Sequence, residues 1–228
     1  LEGFTRIISS LRQYIPSQSR LVELYGGVGT IGLSVLDRVE YLVCSDENPN
    51  NEKAFYTALE TVDGVVRDGK AAKYIPKNAN DMVAAGALSK SLVMNTDKFK
   101  YYPPAPGSKK PDLRNVKREK LTPTDLLPPN VCLVDPPRKG LDSAVLDALA
   151  LPKLKLPSSG VAGLKKNNQP EGTYLDRLIY VSCGFKALMR DCQQLTTKEG
   201  GGWKIQHAEG HVLFPGADHI ETLVVFVR

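Results

Sequence analysis

Short apolar runs, each ended by a turn or a polar cluster and most followed by a helical pattern, recur along the chain. Leu21-Val22-Glu23-Leu24-Tyr25 runs into glycines, and Ile31 to Leu36 then reads as a helix. Tyr41-Leu42-Val43-Cys44-Ser45 ends at Asp46. Asn48 as cap and Pro49 at the first helical position would start a helix through Ala54, Phe55 and Leu59. Val131 to Val134 ends at Asp135-Pro136-Pro137, ahead of a short helix from Ser143 to Leu149. Leu178 to Val181 ends at Ser182-Cys183-Gly184, ahead of a helix through Leu188 and Leu195. Continuously apolar strands that alternate with helices belong to a parallel sheet covered on both faces, so the pattern predicts an α/β, doubly wound fold. Trp203 to Val212 and Ile220 to Val227 break the rhythm. They are two strand-like runs around the turn-rich Phe214-Pro215-Gly216-Ala217-Asp218, which predicts a closing antiparallel hairpin.

Between Thr61 and Pro129 the pattern is mixed. Ser91 to Met94 is a strand candidate and Tyr102 to Pro111, rich in Pro, Gly and Lys, reads as loop. This stretch is expected to be an irregular insertion at about 61–129 in a single domain spanning 1–228. No internal repeat is visible.

Composition narrows the class. At 42% hydrophobic and 24% charged residues the chain sits at ordinary globular values, which excludes disordered and collagen-like classes. No apolar run approaches the ~18–20 residues of a spanning helix, and Leu1 to Tyr14 mixes Glu2, Arg6 and Arg12 with apolar positions at helical spacing, unlike a signal peptide. An intracellular protein is expected, with its compartment open. Four cysteines without a C-x-x-C pair exclude a zinc ribbon or a disulfide scaffold and fit a reducing compartment. His207, His211 and Cys183 show no metal-ligand spacing, so no metal is expected. The net charge is +5, yet Lys98 to Lys120 alone holds eight Lys or Arg against Asp112 and Glu119, so the basic character is local and suited to phosphates.

Three loops at strand ends carry candidate chemistry. Gly27-Val28-Gly29-Thr30-Ile31-Gly32 matches G-x-G-x-x-G directly after a strand and at the opening of a helix, where bare backbone can approach a ligand closely. Asp46 ends the next strand, placed to accept hydrogen bonds from both ribose hydroxyls of an adenosine cofactor. Glu23, inside the first strand, separates two cofactor classes: a carboxylate favours a sulfonium with an amino acid tail and repels a pyrophosphate. Asp135-Pro136-Pro137-Arg138-Lys139-Gly140 lies at the same sheet edge, where two prolines fix a loop that presents Asp135 and Arg138. Cys183 closes the following strand just before a helix, a setting that favours thiolates, and Glu221 opens the last strand in His219-Ile220-Glu221.

In this order, Val22-Glu23-Leu24-Tyr25-Gly26-Gly27-Val28-Gly29-Thr30, Val134-Asp135-Pro136-Pro137-Arg138-Lys139-Gly140-Leu141-Asp142, Tyr180-Val181-Ser182-Cys183, and Phe214-Pro215 through His219-Ile220-Glu221 resemble the RNA uracil-5-methyltransferase family. Its members are S-adenosylmethionine-dependent enzymes that methylate uridine in tRNA and rRNA. The resemblance spans most of Arg20 to Val227 and is poorest from Thr61 to Pro129. It implies a Rossmann-like methyltransferase sheet, mostly parallel with a C-terminal antiparallel hairpin. It also implies S-adenosylmethionine as cofactor, held by Glu23, Tyr25, Gly27, Gly29, Asp46, Asp97 and Asp135. Cys183 would add to uracil carbon 6, Glu221 would remove the carbon 5 proton, and Asp135 would bond the uracil edge, with Arg138 near phosphate or the carboxylates. Apart from the resemblance, Tyr101 and Tyr102, with Phe99, lie beside Lys98 and Lys100 and could stack RNA bases next to phosphate contacts; a flexible solvated loop is the other reading of this stretch.

The family commonly has Cys where Gly26 stands, and Asn-Pro where Gly184-Phe185 follows Cys183. Its substrate-contacting glutamine and N-terminal RNA-binding domain have no counterpart here, so the chain is expected to be a catalytic domain, as a monomer. Two rivals share the glycine loop: an NAD-dependent oxidoreductase, and a catalytically inactive RNA-binding domain on a methyltransferase fold.

Overall fold

The computed structural model describes residues 2–63, 71–89, 100–101, 127–156, 172–213, 216 and 220–228. Its core is a sheet of strands β1 (Ser19–Leu24), β2 (Val39–Asp46), β3 (Ala71–Pro76), β4 (Lys100–Tyr101), β5 (Val131–Val134), β6 (Arg177–Ser182), β7 (Lys204–His211) and β8 (Glu221–Val227). Their order is β4-β3-β2-β1-β5-β6-β8-β7. Pairs β3·β2, β2·β1, β1·β5 and β5·β6 are parallel, whereas β8 runs antiparallel to both β6 and β7. This is the doubly wound sheet with an antiparallel C-terminal pair that the apolar runs predict.

Because side chains alternate along a strand, the parallel strands feed two apolar layers. Val22, Leu24, Val43, Cys132, Val134, Leu178 and Tyr180 face one way. There α4 (Ala79–Ala84), α5 (Ser143–Ala150) and α6 (Phe185–Thr196) cover them with Met82, Val145, Leu149, Leu188 and Leu195. Leu21, Leu42, Cys44, Leu133, Ile179 and Leu223 face the other way. Covering them are α1 (Glu2–Gln13), α2 (Thr30–Ser34) and α3 (Asn51–Thr61), through Ile7, Leu11, Ile31, Leu33, Phe55 and Leu59. Helix α1 is pinned further by Arg12, whose guanidinium donates to both oxygens of Asp37 at 2.8 and 2.7 Å and to the Ser34 carbonyl at 2.7 Å.

The structure corrects two local expectations. Helix α3 begins at Asn51 rather than Pro49, because Asn48 spends its side chain on an Asx turn, accepting from the Asn50 N–H at 3.0 Å. The stretch from 61 to 129 is also not uniformly irregular: β3 extends the parallel sheet beside β2, and α4 follows, capped by Asn78 accepting from the Asp81 N–H at 2.8 Å. The strand candidate Ser91 to Met94 and the loop Tyr102 to Pro111 lie outside the described residues. Among the described residues no helix is long and apolar enough to cross a membrane, and no group of three His, Cys, Asp or Glu could hold a metal ion.

Candidate active site

The carboxyl ends of β1, β2, β5 and β6 meet at one edge of the sheet, the position at which open α/β sheets take their ligands. The glycine loop leaves β1 there through Tyr25, at φ 59°, followed by Gly27 at φ 55° and Gly29 at φ 79°. At Gly29 a side chain would also run into the Phe55 ring, whereas a Cβ at Gly27 would meet nothing within 4 Å. The loop thus packs down on α3 at one glycine and lies bare at the other. Beside it opens a crevice of ≈ 450 Å³, lined by Phe4, Tyr25, Gly26, Gly27, Val28, Thr30, Ile31 and Asp135. Phe4 comes from α1, and nothing in its local sequence marks it as a wall of this crevice.

Glu23 does not reach that space. Its side chain is fully buried beneath the loop, where Oε1 accepts from the Gly32 N–H at 3.1 Å and Oε2 has no N–H or O–H donor among the described residues. Burial pushes its carboxyl up to about 7, against the opposing pull of the Cys44 thiol and the Gly32 N–H. The expectation of a direct cofactor contact is therefore corrected: Glu23 shapes the loop from below. Cys44 fills the neighbouring space, its Sγ lying 2.5 Å from where a Cβ on Gly26 would stand. A cysteine at 26, common in the family the sequence resembles, has no room beside the cysteine at 44.

Asp46 stands at the end of β2, as expected, but much of its capacity is taken. Oδ1 accepts from the Asn48 N–H at 3.0 Å and from Asn51 Nδ2 at 3.1 Å, and Oδ2 accepts from the Gly27 N–H at 3.1 Å. With two lone pairs on each oxygen, one acceptor position remains, enough for one ribose hydroxyl rather than two. Tyr25 spans to the next loop: its hydroxyl donates to Asp142 Oδ2 at 3.0 Å and accepts from the Asp142 N–H at 3.2 Å. The Lys139 ammonium, 2.7 Å from Asp142 Oδ1, holds the Asp142 carboxyl below the usual carboxylate range.

Asp135, Cys183 and Glu221 converge through strand register. Val134 pairs with Tyr180 across β5 and β6, so Asp135 leaves its strand beside Val181, two residues before Cys183. Ser182 pairs with Thr222 across β6 and β8, and the next position on each strand is Cys183 and Glu221. Nucleophile and base candidates thus face each other at the end of one antiparallel ladder. Asp135 is open to the crevice, yet the protein around it withholds water and the Glu221 carboxylate repels a second negative charge; together these push Asp135 up to about 7.

Two features tie the Asp135 loop to α6. Gly184 lies so close to Arg138 that a Cβ there would stand 2.5 Å from the Arg138 carbonyl oxygen and 2.9 Å from its Cα. Asp191 of α6, fully buried, accepts from the Leu141 N–H at 2.8 Å and from the Tyr180 hydroxyl at 2.8 Å, and its Oδ1 lies 2.8 Å from Arg190 Nη2. Asp191 escapes the sequence reading, since an acidic residue in an amphipathic helix ordinarily faces solvent.

Among the expected RNA contacts, the backbone of Lys100 and Tyr101 forms β4, antiparallel to β3. Asp97, Lys98, Phe99, Tyr102 and His219 lie outside the described residues.

The fold is the Rossmann-like fold of methyltransferases. The Pyrococcus abyssi tRNA (uracil-54, C5)-methyltransferase, solved with S-adenosyl-L-homocysteine, superposes with a TM-score of 0.54 over 97% of this chain and 37% of its own, at 17% identity. In sequence, an uncharacterized RNA methyltransferase of Protochlamydia amoebophila is 25% identical over all 228 residues, which span 42% of that protein. Another from Nostoc sp. is 33% identical over 109 residues, 48% of this chain and 19% of its own length. The chain thus spans less than half the length of these relatives. No protein-family model matches it.

Proposed function

We propose that the chain is the catalytic domain of an S-adenosylmethionine-dependent RNA methyltransferase that acts on carbon 5 of uridine in tRNA or rRNA. The observation that carries this reading is the register that sets Cys183 opposite Glu221, with Asp135 on the neighbouring strand end and the glycine-loop crevice alongside. The likeness in sequence to RNA methyltransferases supports the substrate class.

The crevice fits the cofactor on its own terms. Its volume lies within the ~300–1,000 Å³ of small-molecule sites. Gly27 carries no side chain to block a ligand, Phe4, Val28 and Ile31 form an apolar wall, and Asp46, bonded to the Gly27 N–H, keeps one acceptor position for a ribose hydroxyl. When bound, S-adenosylmethionine supplies a sulfonium-activated methyl group. A pyrophosphate cofactor, by contrast, would lie beside the Asp135 carboxyl, and among the described residues the crevice lining holds no cation.

Uracil carbon 5 is a weak nucleophile. Addition of the Cys183 thiolate to carbon 6 forms a carbon–sulfur bond and moves the ring electrons to carbon 5 and oxygen 4 as an enolate, which makes carbon 5 nucleophilic. After methylation Glu221 takes the carbon 5 proton, the carbon–sulfur bond breaks and Cys183 leaves as thiolate. Asp135, poised near neutrality, can hold a proton toward the uracil edge. The target base has to leave its stack to reach this edge of the sheet.

The test is intact-mass spectrometry of the protein with S-adenosylmethionine and RNA carrying 5-fluorouridine, where fluorine blocks the last step. A covalent methylated adduct in the wild type, absent in Cys183→Ala, is the expected result. On ordinary uridine, Glu221→Gln should accumulate the same adduct and lower turnover by roughly 100-fold or more. Methyl transfer that survives Cys183→Ala would overturn the covalent route.

A further inference from the structure

Helix α6 begins one residue past Gly184 and exposes an apolar stripe beside the site. Phe185 is 56% exposed and Met189, one turn on, 45%. Both stand on the outer face, while Ala187, Leu188, Cys192 and Leu195 fill the inner one. Packing therefore does not explain the aromatic ring at 185. A phenylalanine left in water next to a reaction centre calls for a ligand that covers it only during the reaction.

The charges around the stripe are cationic. Lys186 and Arg190, one position past Phe185 and Met189, are exposed along one flank of it, and Arg138 and Lys139 lie on the loop against which Gly184 packs. Arg190 Nη2 also donates to the Lys139 carbonyl at 2.8 Å, so helix and loop form one continuous surface. Of the nearby carboxylates, Asp191 is buried and pairs with Arg190, Asp142 pairs with Lys139, and Asp135 and Glu221 stand at the strand ends beside Cys183, so Lys186 is the cation of this helix face offered to a phosphate. An apolar plane flanked on one side by basic side chains complements a single nucleic-acid strand, which offers flat bases along a run of phosphates.

We propose that Phe185 is a stacking platform for a nucleotide next to the target uridine, with Met189 extending the apolar surface and Lys186 meeting a phosphate. This rests on the reading of the chain as an RNA methyltransferase and adds where the strand lies: along α6, on the Cys183 side of the crevice. The bare Gly184 fits the same role, because it lets the platform sit against the Asp135 loop with no side chain between the stacked base and the nucleophile. The proline that the resembled family carries where Phe185 stands has no ring of this kind, so the platform is a property of this sequence.

The test is binding of a fluorescein-labelled single-stranded uridine-containing 12-mer RNA, by anisotropy, to the 228-residue chain and its variants. Cofactor binding is measured alongside by calorimetry, and thermal melts confirm that the exposed substitutions leave the fold intact. Phe185→Ala should weaken RNA binding roughly 5- to 150-fold, and Phe185→Tyr should restore it. Phe185→Leu, apolar without a π-face, should not. Lys186→Ala should lower the salt slope of log Kd by about 0.7. A 2-aminopurine placed beside the target uridine should be quenched by the wild type and not by Phe185→Ala.

The platform is overturned if Phe185→Ala binds RNA like the wild type. Full rescue by Leu would overturn it too, pointing to a face for a protein partner. So would a wild type that binds the cofactor and no RNA, an outcome that leaves the methyltransferase reading standing. A wild type that binds RNA through Phe185 but no cofactor would instead sink that reading while the platform stood.

Discussion

At position 184 one missing side chain decides whether two loops can meet. The Arg138 carbonyl oxygen lies 2.5 Å from where a Cβ would be, and backbone cannot swing aside as a long side chain can. Gly184→Ala should therefore push the Asp135 loop away from Cys183. Misplacement on the order of 1 Å lowers rates by about 10- to 100-fold. The expected signature is a loss of that size in single-turnover methyl transfer with the cofactor Kd changed by no more than about twofold; an unaltered rate would show that the loop yields freely. The sequence already marks Asp46, Asp135, Cys183 and Glu221 as strand-end residues, since where an apolar run stops is a local property. It misplaces Glu23, because whether a carboxylate inside a strand faces a crevice or lies under a loop depends on what packs over that face, here Gly32 and Cys44.

At the scale of elements, α6 bears on the candidate site by holding the Asp135 loop through Asp191, besides carrying the proposed platform on its outer face. Asp191→Ala would leave the Leu141 N–H and the Tyr180 hydroxyl buried without acceptors, a loss of about 2–5 kcal/mol. Urea unfolding should show this as a lower midpoint, with Asp191→Asn intermediate because its amide oxygen still accepts; a midpoint within error of the wild type would refute the anchoring role. Strands β1, β2, β5 and β6 are legible as apolar runs because both their faces are covered. Strand β3 is not: Ala71-Ala72-Lys73-Tyr74-Ile75 has small residues and a lysine where a central strand would have Val or Ile. Its place beside β2 is settled by pairing from Tyr41↔Ala71 to Asp46↔Pro76, a long-range fact invisible in the local pattern.

Over the whole molecule, the buried carboxyl of Glu23 ties stability to pH. Its pKa in the fold, about 7, lies above its ordinary 4.5, so the fold favours the neutral acid. The contribution is complete below about 4.5 and is lost as pH rises toward 7, by up to about 3 kcal/mol. Asp135 is shifted the same way and adds to the decline. Glu23→Gln can keep the bond from Gly32 without ionising, so its melting temperature should exceed the wild type's near pH 8 and the gap should close near pH 4.5. A gap that does not vary with pH would point to packing instead. The sheet order has a consequence for synthesis. Strand β8 lies between β6 and β7, and among the described residues β7 has no other partner in the sheet, so this edge cannot be completed until residues 221–227 have left the ribosome. A nascent chain that has already released Cys183 therefore has no Glu221 opposite it. The juxtaposition of Cys183 and Glu221 is therefore complete only after the hairpin inserts, so the candidate site is among the last parts of the sheet to be assembled.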